Sequence, residues 1–284
     1  MHRKSLVWTA AFALGLLAGC GQSSGNPHAG GHEEAMATSS SAHGDHGENG
    51  HEASSGKLQA DFAFASGKPE AGDEELLSIR IADERNVPVT KFQVNHEKLL
   101  HLIVVNRDLS FFSHIHPEYK GEGEFEVAAV FPSGGEYKIF ADFIPEGGSA
   151  TTLSEWVEVS GEEGSHADVV ADSKLVRSAN GKQVELALGE AASGRDVELK
   201  FTVRDGKTME GVTDLEPYLG AVGHVVILSS DAEKYLHVHP ADEKSTGPEA
   251  TFETRFPESG TYKIWGQFKH DGQVMTVPFV VDVK

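Results

Sequence analysis

From residue 58 onward, apolar and polar residues alternate in short runs, which is the pattern of half-buried β-strands. Turn residues separate the runs, and no stretch shows a helical period. In the first half of the chain the pattern predicts strands at 60–65, 75–82, 88–94, 101–106, 124–131, 136–143 and 153–159. Short strands at this spacing are typical of a β-sandwich, for which roughly 100 residues is the usual size.

The same pattern restarts after a polar junction at 161–172. It predicts strands at 173–178, 183–188, 196–203, 211–215, 224–229, 251–256, 262–269 and 274–282. Both halves contain Phe-Pro-x-x-Gly-x-Tyr-Lys-Ile, and its tyrosines, Tyr137 and Tyr262, resemble the tyrosine corner of sandwich domains. The chain is therefore predicted to be all-β, with two tandem β-sandwich domains at 58–161 and 162–284.

A second motif that both halves share contains the residues most typical of a functional site. It reads histidine, twelve residues, histidine, one residue, histidine, proline, with an aspartate seven positions after the first histidine. The histidines are His101, His114 and His116 in the first copy and His224, His237 and His239 in the second, and the aspartates are Asp108 and Asp231.

The aliphatic, β-branched residues after the first histidine predict that each motif forms a β-hairpin. A turn near Asp108 places His101 opposite His116, and it places His114 on the same face. Three such imidazoles can converge on one ion at about 2.0–2.1 Å from each nitrogen, so we predict one three-histidine metal site per domain. A shift of one residue in the register of the hairpin would turn His101 to the opposite face of the sheet. The alternative is that these histidines are structural residues bonded to the backbone.

Residues 1–20 resemble the signal of bacterial lipoproteins, with a positive start, an apolar segment and the sequence Leu-Ala-Gly-Cys. The resemblance implies cleavage before Cys20 and lipid attachment to its sulfur, hence an extracytoplasmic protein anchored to a bacterial membrane. Because Cys20 is the only cysteine, disulfides within the chain and further thiolate ligands are excluded. Residues 21–57 are polar and are predicted to be a disordered linker, whose five histidines can gather metal ions loosely.

The balance of charge narrows the choice of partners. There are 24 Lys and Arg against 44 Asp and Glu, which gives a formal net charge of −20. This disfavours nucleic acid, whose phosphates need clustered basic residues. No nucleophilic triad or carboxylate pair stands out. A faint likeness of His114, His116 and Glu118 to the cupin ligand set fails in the second copy, so we expect a binding protein and not an enzyme.

The histidine segments of both halves, with residues 214–220 before the second, resemble the YtkA-like and FixH-like group of secreted bacterial β-sandwich proteins. The resemblance implies two tandem immunoglobulin-like or cupredoxin-like domains and a role in copper handling. A blue-copper site is not expected, because it requires a cysteine ligand. We therefore expect a lipid-anchored copper or zinc chaperone, buffer or resistance factor. The alternative is a non-catalytic cell-envelope interaction module with a protein partner and structural histidines.

Overall fold

The computed structural model describes residues 57–236 and 238–284, without the side chain of His239. The predicted lipoprotein signal, Cys20, the predicted linker up to residue 56 and His237 lie outside the described residues. Every regular element in the described part is a β-strand, which confirms the all-β prediction. No helix within that part is long and apolar enough to span a membrane.

The first half contains nine strands in two antiparallel sheets. They are β1 (Leu58–Phe64), β2 (Glu74–Asp83), β3 (Phe92–Gln93), β4 (Leu100–Asn106), β5 (Phe112–Ile115), β6 (Glu118–Gly121), β7 (Glu124–Val130), β8 (Gly135–Pro145) and β9 (Thr151–Val159). One sheet has the order β1-β2-β7-β6, and the other has the order β3-β8-β4-β5, with β9 also paired to β8. The sheets enclose an apolar core that includes Leu77, Phe125 and Ile139.

The second half repeats this arrangement. Its strands are β10 (Val176–Ala179), β11 (Lys182–Leu188), β12 (Asp196–Asp205), β13 (His224–Ser229), β14 (Tyr235–Leu236), β15 (His239–Pro240), β16 (Glu249–Arg255), β17 (Gly260–His270) and β18 (Gln273–Val283). The order β14-β13-β17-β18 matches β5-β4-β8-β9, and β11-β12-β16-β15 matches β1-β2-β7-β6. The duplication seen in the sequence is therefore a duplication of the sandwich.

The tyrosine of the shared motif makes the same contact in both halves. The hydroxyl of Tyr137 donates to the carbonyl oxygen of Ser133 at 2.9 Å, and that of Tyr262 donates to the carbonyl oxygen of Glu258 at 3.0 Å. Each bond closes the turn before a long strand, as a tyrosine corner does. The motif is structural, as its position in the sequence predicts.

Two predicted strands are largely irregular. Residues 88–94 contain only the two-residue strand β3, and residues 211–215 contain none. In the second segment the N–H groups of Val212 and Leu215 donate to the carbonyl oxygens of Val203 and Thr246, which lie in different parts of the chain. The segment therefore satisfies its backbone without joining a ladder.

A third apolar cluster lies between the two halves. It is formed by residues of β4, β8, β13 and β17 and of the loops that follow β4 and β13: Ile103, Val105, Leu109 and Phe140 from the first half, and Val226, Leu228, Ala232 and Trp265 from the second. Strands β4 and β13 are consequently buried on both faces. This explains their uninterrupted aliphatic runs, since alternation is lost when both faces of a strand are covered.

The contacts across this interface come in equivalent pairs, in which the roles of the two halves are exchanged. Phe112 stacks on Trp265 with ring centroids 4.7 Å apart, and Tyr235, at the position equivalent to Phe112, lies 5.5 Å from Phe140. Equivalent lysines also bond across the interface in both directions, from the Nζ of Lys138 to Glu233 and from the Nζ of Lys263 to the carbonyl of Leu109. The halves therefore pack as two subunits do in an isologous dimer.

Candidate metal centre

The first histidine hairpin has the predicted register. Ile103 pairs with His114 across β4 and β5, and continuing that ladder places His101 opposite His116. The connecting loop is longer than a two-residue turn and spans residues 107–111. Because side chains two positions apart share a face, His114 and His116 both lie on the side of His101.

The shared aspartates shape these hairpin loops. The carboxylate of Asp108 accepts a hydrogen bond from the N–H of Ser110 at 3.0 Å, and that of Asp231 accepts one from the N–H of Glu233 at 3.0 Å. Both are bonds to the backbone two residues later, which is the usual turn-forming role of aspartate. These aspartates therefore explain part of the repeated motif without metal chemistry.

The three histidines of the first copy come together. One ring nitrogen from each of His101, His114 and His116 lies within 4.8 Å of the others. Their ring centroids are separated by 5.3, 5.0 and 4.7 Å. His101 is buried, and the Nε2 atom of His116 is buried without a hydrogen-bond partner among the described residues. The predicted convergence of the first triad is therefore present in the structure.

His224 of the second half faces this triad. It begins β13, at the position equivalent to His101, and its ring is stacked on that of His101 at 5.5 Å and 9°. Its centroid is 4.8 Å from that of His114, and its side chain is buried. His237 lies outside the described residues and the side chain of His239 is not described, so a separate second triad stays a prediction.

His96 also borders the cluster, and the sequence pattern did not point to it. Its ring centroid is 6.2 Å from that of His101 and 5.4 Å from that of His224. It lies in a tight turn closed by two bonds between Asn95 and Lys98, with a positive φ of 46°. His96 lies outside the repeated motif, and the equivalent turn of the second half has Leu219 there, so only a turn-by-turn comparison would have singled it out.

Two hydrogen bonds place the ring protons when the Gln267 amide is oriented with its Oε1 atom toward His114. The Nε2 atom of His101 is 2.9 Å from the carbonyl oxygen of Asn95, so this nitrogen is a donor. The Nδ1 atom of His114 is 2.7 Å from Oε1 of Gln267, so it is a donor as well. In neutral rings the remaining nitrogens, His101 Nδ1 and His114 Nε2, then carry lone pairs. These two atoms face each other at 3.0 Å.

Two facing lone pairs repel unless a proton or a cation lies between them. A proton is disfavoured at neutral pH, because burial above all lowers the pKa of His114 to about 3. Two nitrogens bound to one tetrahedral ion at about 2.0–2.1 Å would be about 3.3–3.4 Å apart, close to the separation observed here. With the Gln267 amide in this orientation, the arrangement suits a metal ion better than it suits two neutral imidazoles.

A buried carboxylate accompanies the cluster. Asp142 pairs with His101 across β4 and β8, and only 4% of its surface is exposed. It accepts a hydrogen bond from the hydroxyl of Tyr235 at 3.1 Å, and its negative charge opposes the lowering of the pKa of His114. A buried cation needs such a counter-charge. The cluster can thus offer nitrogen ligands and a nearby negative charge.

A family comparison bears on the duplication. The model of the family described as "Domain of unknown function (DUF8832)" matches residues 56–161 and 177–284, which is more than half of the chain. The chain belongs to this family. The DUF8832 match gives two copies of one domain, as the strands do. It is not a match to the YtkA-like or FixH-like group, so that resemblance stays an expectation.

Solved structures similar to this DUF8832 chain include bacterial surface proteins. The adhesin FdeC of Escherichia coli is 15% identical, with 80% of this chain and 66% of that chain covered and a TM-score of 0.27. The adhesin InvE of Yersinia pseudotuberculosis is 12% identical, with 79% and 60% covered and a TM-score of 0.26. This chain covers less than two thirds of either, and at such TM-scores the likeness carries no argument. None of the curated proteins matches.

Proposed function

We propose that this DUF8832 chain is a non-catalytic, extracytoplasmic binding protein, anchored through a lipid on Cys20, and that it binds a copper or zinc ion at His101, His114 and His116. We propose a role as a metal chaperone, buffer or resistance factor, since each of these roles requires metal binding and no catalysis. The anchoring part of the proposal rests on the signal-like sequence before Cys20. The metal part rests on the histidine cluster.

The convergence of one ring nitrogen from each of His101, His114 and His116 within 4.8 Å is the observation that carries the metal proposal, and within it His101 Nδ1 and His114 Nε2 are 3.0 Å apart. The buried Nε2 atom of His116 supports it, since a buried ring nitrogen without a partner costs free energy that a bound ion recovers. Imidazole sets suit Zn²⁺ and Cu²⁺. The described cluster offers no sulfur ligand, which argues against a dedicated Cu⁺ site.

Isothermal calorimetry with Zn(II) and with Cu(II) tests the proposal. The protein is residues 57–284, which contain every described strand and all three apolar cores but lack the histidine-rich linker. We expect tight binding that is lost when His114 and His116 are both changed to Ala. The matched control is His166→Ala, which removes a histidine whose side chain is 80% exposed.

The main competing explanation is loose coordination of the ion by surface histidines. If the ion binds at the cluster, the control variant should bind it as the unmodified protein does. Absence of tight binding to both ions would refute the metal proposal, and so would equal binding by the double variant. The anchoring proposal is tested separately, by mass spectrometry of the membrane fraction of cells that carry Cys20→Ser.

A second candidate function is the cell-envelope interaction module with a protein partner and structural histidines. The hydrogen-bonded chain from Asn95 through His101 and His114 to Gln267 favours it. If the Gln267 amide is turned over, its NH₂ group donates to His114 Nδ1 and every bond in that chain is satisfied in neutral rings. In that case the cluster would bind no ion, and the calorimetry described above would show none.

A further inference from the structure

We propose that the metal centre spans both halves of the molecule, with His224 supplying a fourth imidazole and Gln267 orienting His114 from the second half. This inference rests on the proposed metal function and extends it. Its consequence is that ion binding and the packing of the two halves reinforce each other. A bound ion would then hold the duplicated sandwiches together.

The ring of His224 lies as close to His114 as the rings of the first triad lie to one another, and it lies 5.5 Å from that of His101. Its centroid lies 4.8 Å from that of His114, whereas His101 lies 5.3 Å from His114. Only 8% of its surface is exposed. A fourth nitrogen would also complete the tetrahedral set that Zn²⁺ prefers.

Gln267 is a positioning residue from the same half. Its Oε1 atom accepts the hydrogen bond from His114 Nδ1, and its Nε2 atom donates to the hydroxyl of Thr276 at 3.1 Å. Holding the proton on Nδ1 leaves the lone pair of His114 Nε2 directed toward His101. Partners of this kind, on the far nitrogen of a metal-binding histidine, typically change metal affinity by about 10–100-fold when removed.

The interface explains how the second half reaches the centre. Strands β4 and β13 lie face to face in the shared apolar cluster, and His101 and His224 sit at equivalent positions of these strands. The reversed symmetry of the contacts therefore brings the two rings together. Trp265 belongs to this cluster and Trp156 packs against it, and the remaining tryptophan of the chain is Trp8, in the predicted signal. Tryptophan fluorescence of residues 57–284 thus reports on the interface.

The test measures the Zn(II) dissociation constant of residues 57–284 by competition with a chromophoric chelator. We expect His224→Gln to weaken binding by at least about 100-fold, more than the loss of an outer partner usually does. His166→Ala should leave the constant unchanged. In urea unfolding followed by tryptophan fluorescence, Zn(II) should raise the midpoint of the unmodified protein much more than that of His224→Gln.

A second measurement uses the unmodified protein, so its result does not depend on whether a variant folds. The ¹⁵N chemical shifts of the His224 ring, recorded on the unmodified protein, should move for one nitrogen on addition of one equivalent of Zn(II). Tight Zn(II) binding with an unmoved His224 ring and an unaffected His224→Gln would overturn the shared centre and leave the proposed function standing. No tight Zn(II) or Cu(II) binding by the unmodified protein would overturn both.

Discussion

At the scale of single residues, the amide of Gln267 distinguishes the two functions. It accepts a hydrogen bond from His114 in a metal centre and donates one to it in a structural network. We predict that Gln267→Glu, which can only accept when ionised, binds Zn(II) at least as tightly as the unmodified protein. Gln267→Leu should bind about 10–100-fold more weakly. Competition titration measures both, and equal weakening in the two variants would contradict the assignment.

The acid sensitivity of the metal-free protein is a second prediction at this scale. Burial is the first cause that lowers the pKa of His114 to about 3 and that of His116 to about 4. Unfolded histidines titrate near 6.5, so the unfolded state binds more protons between about pH 6.5 and 4. The free energy of unfolding should therefore fall as pH decreases, by about 2–3 kcal/mol for His114 alone at pH 4.5.

Urea unfolding with a chelator present, at pH 7 and pH 4.5, measures this loss. The control is the variant with His114 and His116 both changed to Gln, whose stability should depend less on pH over the same range. A stability that is flat between pH 6.5 and 4.5 in the unmodified protein would show that these imidazoles are not buried in their neutral form.

Residue spacing predicted part of the site and could not predict the rest. His101, His114 and His116 follow from a period of two along paired strands, which is a local rule. Gln267 and His224 reach the cluster only because the two sandwiches pack face to face. No periodicity within one strand encodes that packing, so the sequence suggested two separate sites where the structure places His224 against the first triad.

At the scale of elements, the duplicated turn beside the cluster offers an internal comparison. The first copy has His96 and Glu97 at φ values of 46° and 64°, and the second has Leu219 and Gly220 at 54° and 79°. A positive φ costs free energy in a residue that has a Cβ atom, whereas glycine adopts it without that cost. We predict that Glu97→Gly raises the free energy of unfolding by up to about 1 kcal/mol.

The reverse change is the matched control for this turn. Gly220→Ala should lower the free energy of unfolding by about 1 kcal/mol, from its backbone conformation alone. The added Cβ would meet Glu97 Cγ at an ordinary 3.6 Å, so crowding does not contribute. Urea unfolding of both variants checks the pair, and a gain in stability for Gly220→Ala would refute the backbone argument.

Most of the strands could be predicted from alternation, because each sandwich has one buried and one exposed face on its outer sheet. The aliphatic runs of β4 and β13 indicated strands but not what covers their second face. The prediction of a strand at 211–215 was wrong: Val212 and Leu215 are buried in the core of the second half, but the backbone bonds of the segment go to separate partners. Alternation alone does not distinguish these cases.

At the scale of the whole molecule, the interface between the halves should make unfolding cooperative. Trp265 is 3% exposed and stacks on Phe112 from the other half. We predict that Trp265→Ala lowers the free energy of unfolding by about 3–5 kcal/mol. It should also split the single calorimetric transition into two, because the halves keep their own cores. Trp156→Ala, at the partly buried rim, is the control and should keep one transition. A single transition in Trp265→Ala would contradict the interface account.

X-ray absorption spectroscopy of residues 57–284 loaded with one equivalent of Zn(II) tests the metal centre most directly. The account predicts a shell of nitrogen ligands at about 2.0–2.1 Å, with the outer-shell scattering of three or four imidazoles. A shell dominated by oxygen, or one with fewer than three imidazoles, would contradict the centre formed by His101, His114 and His116.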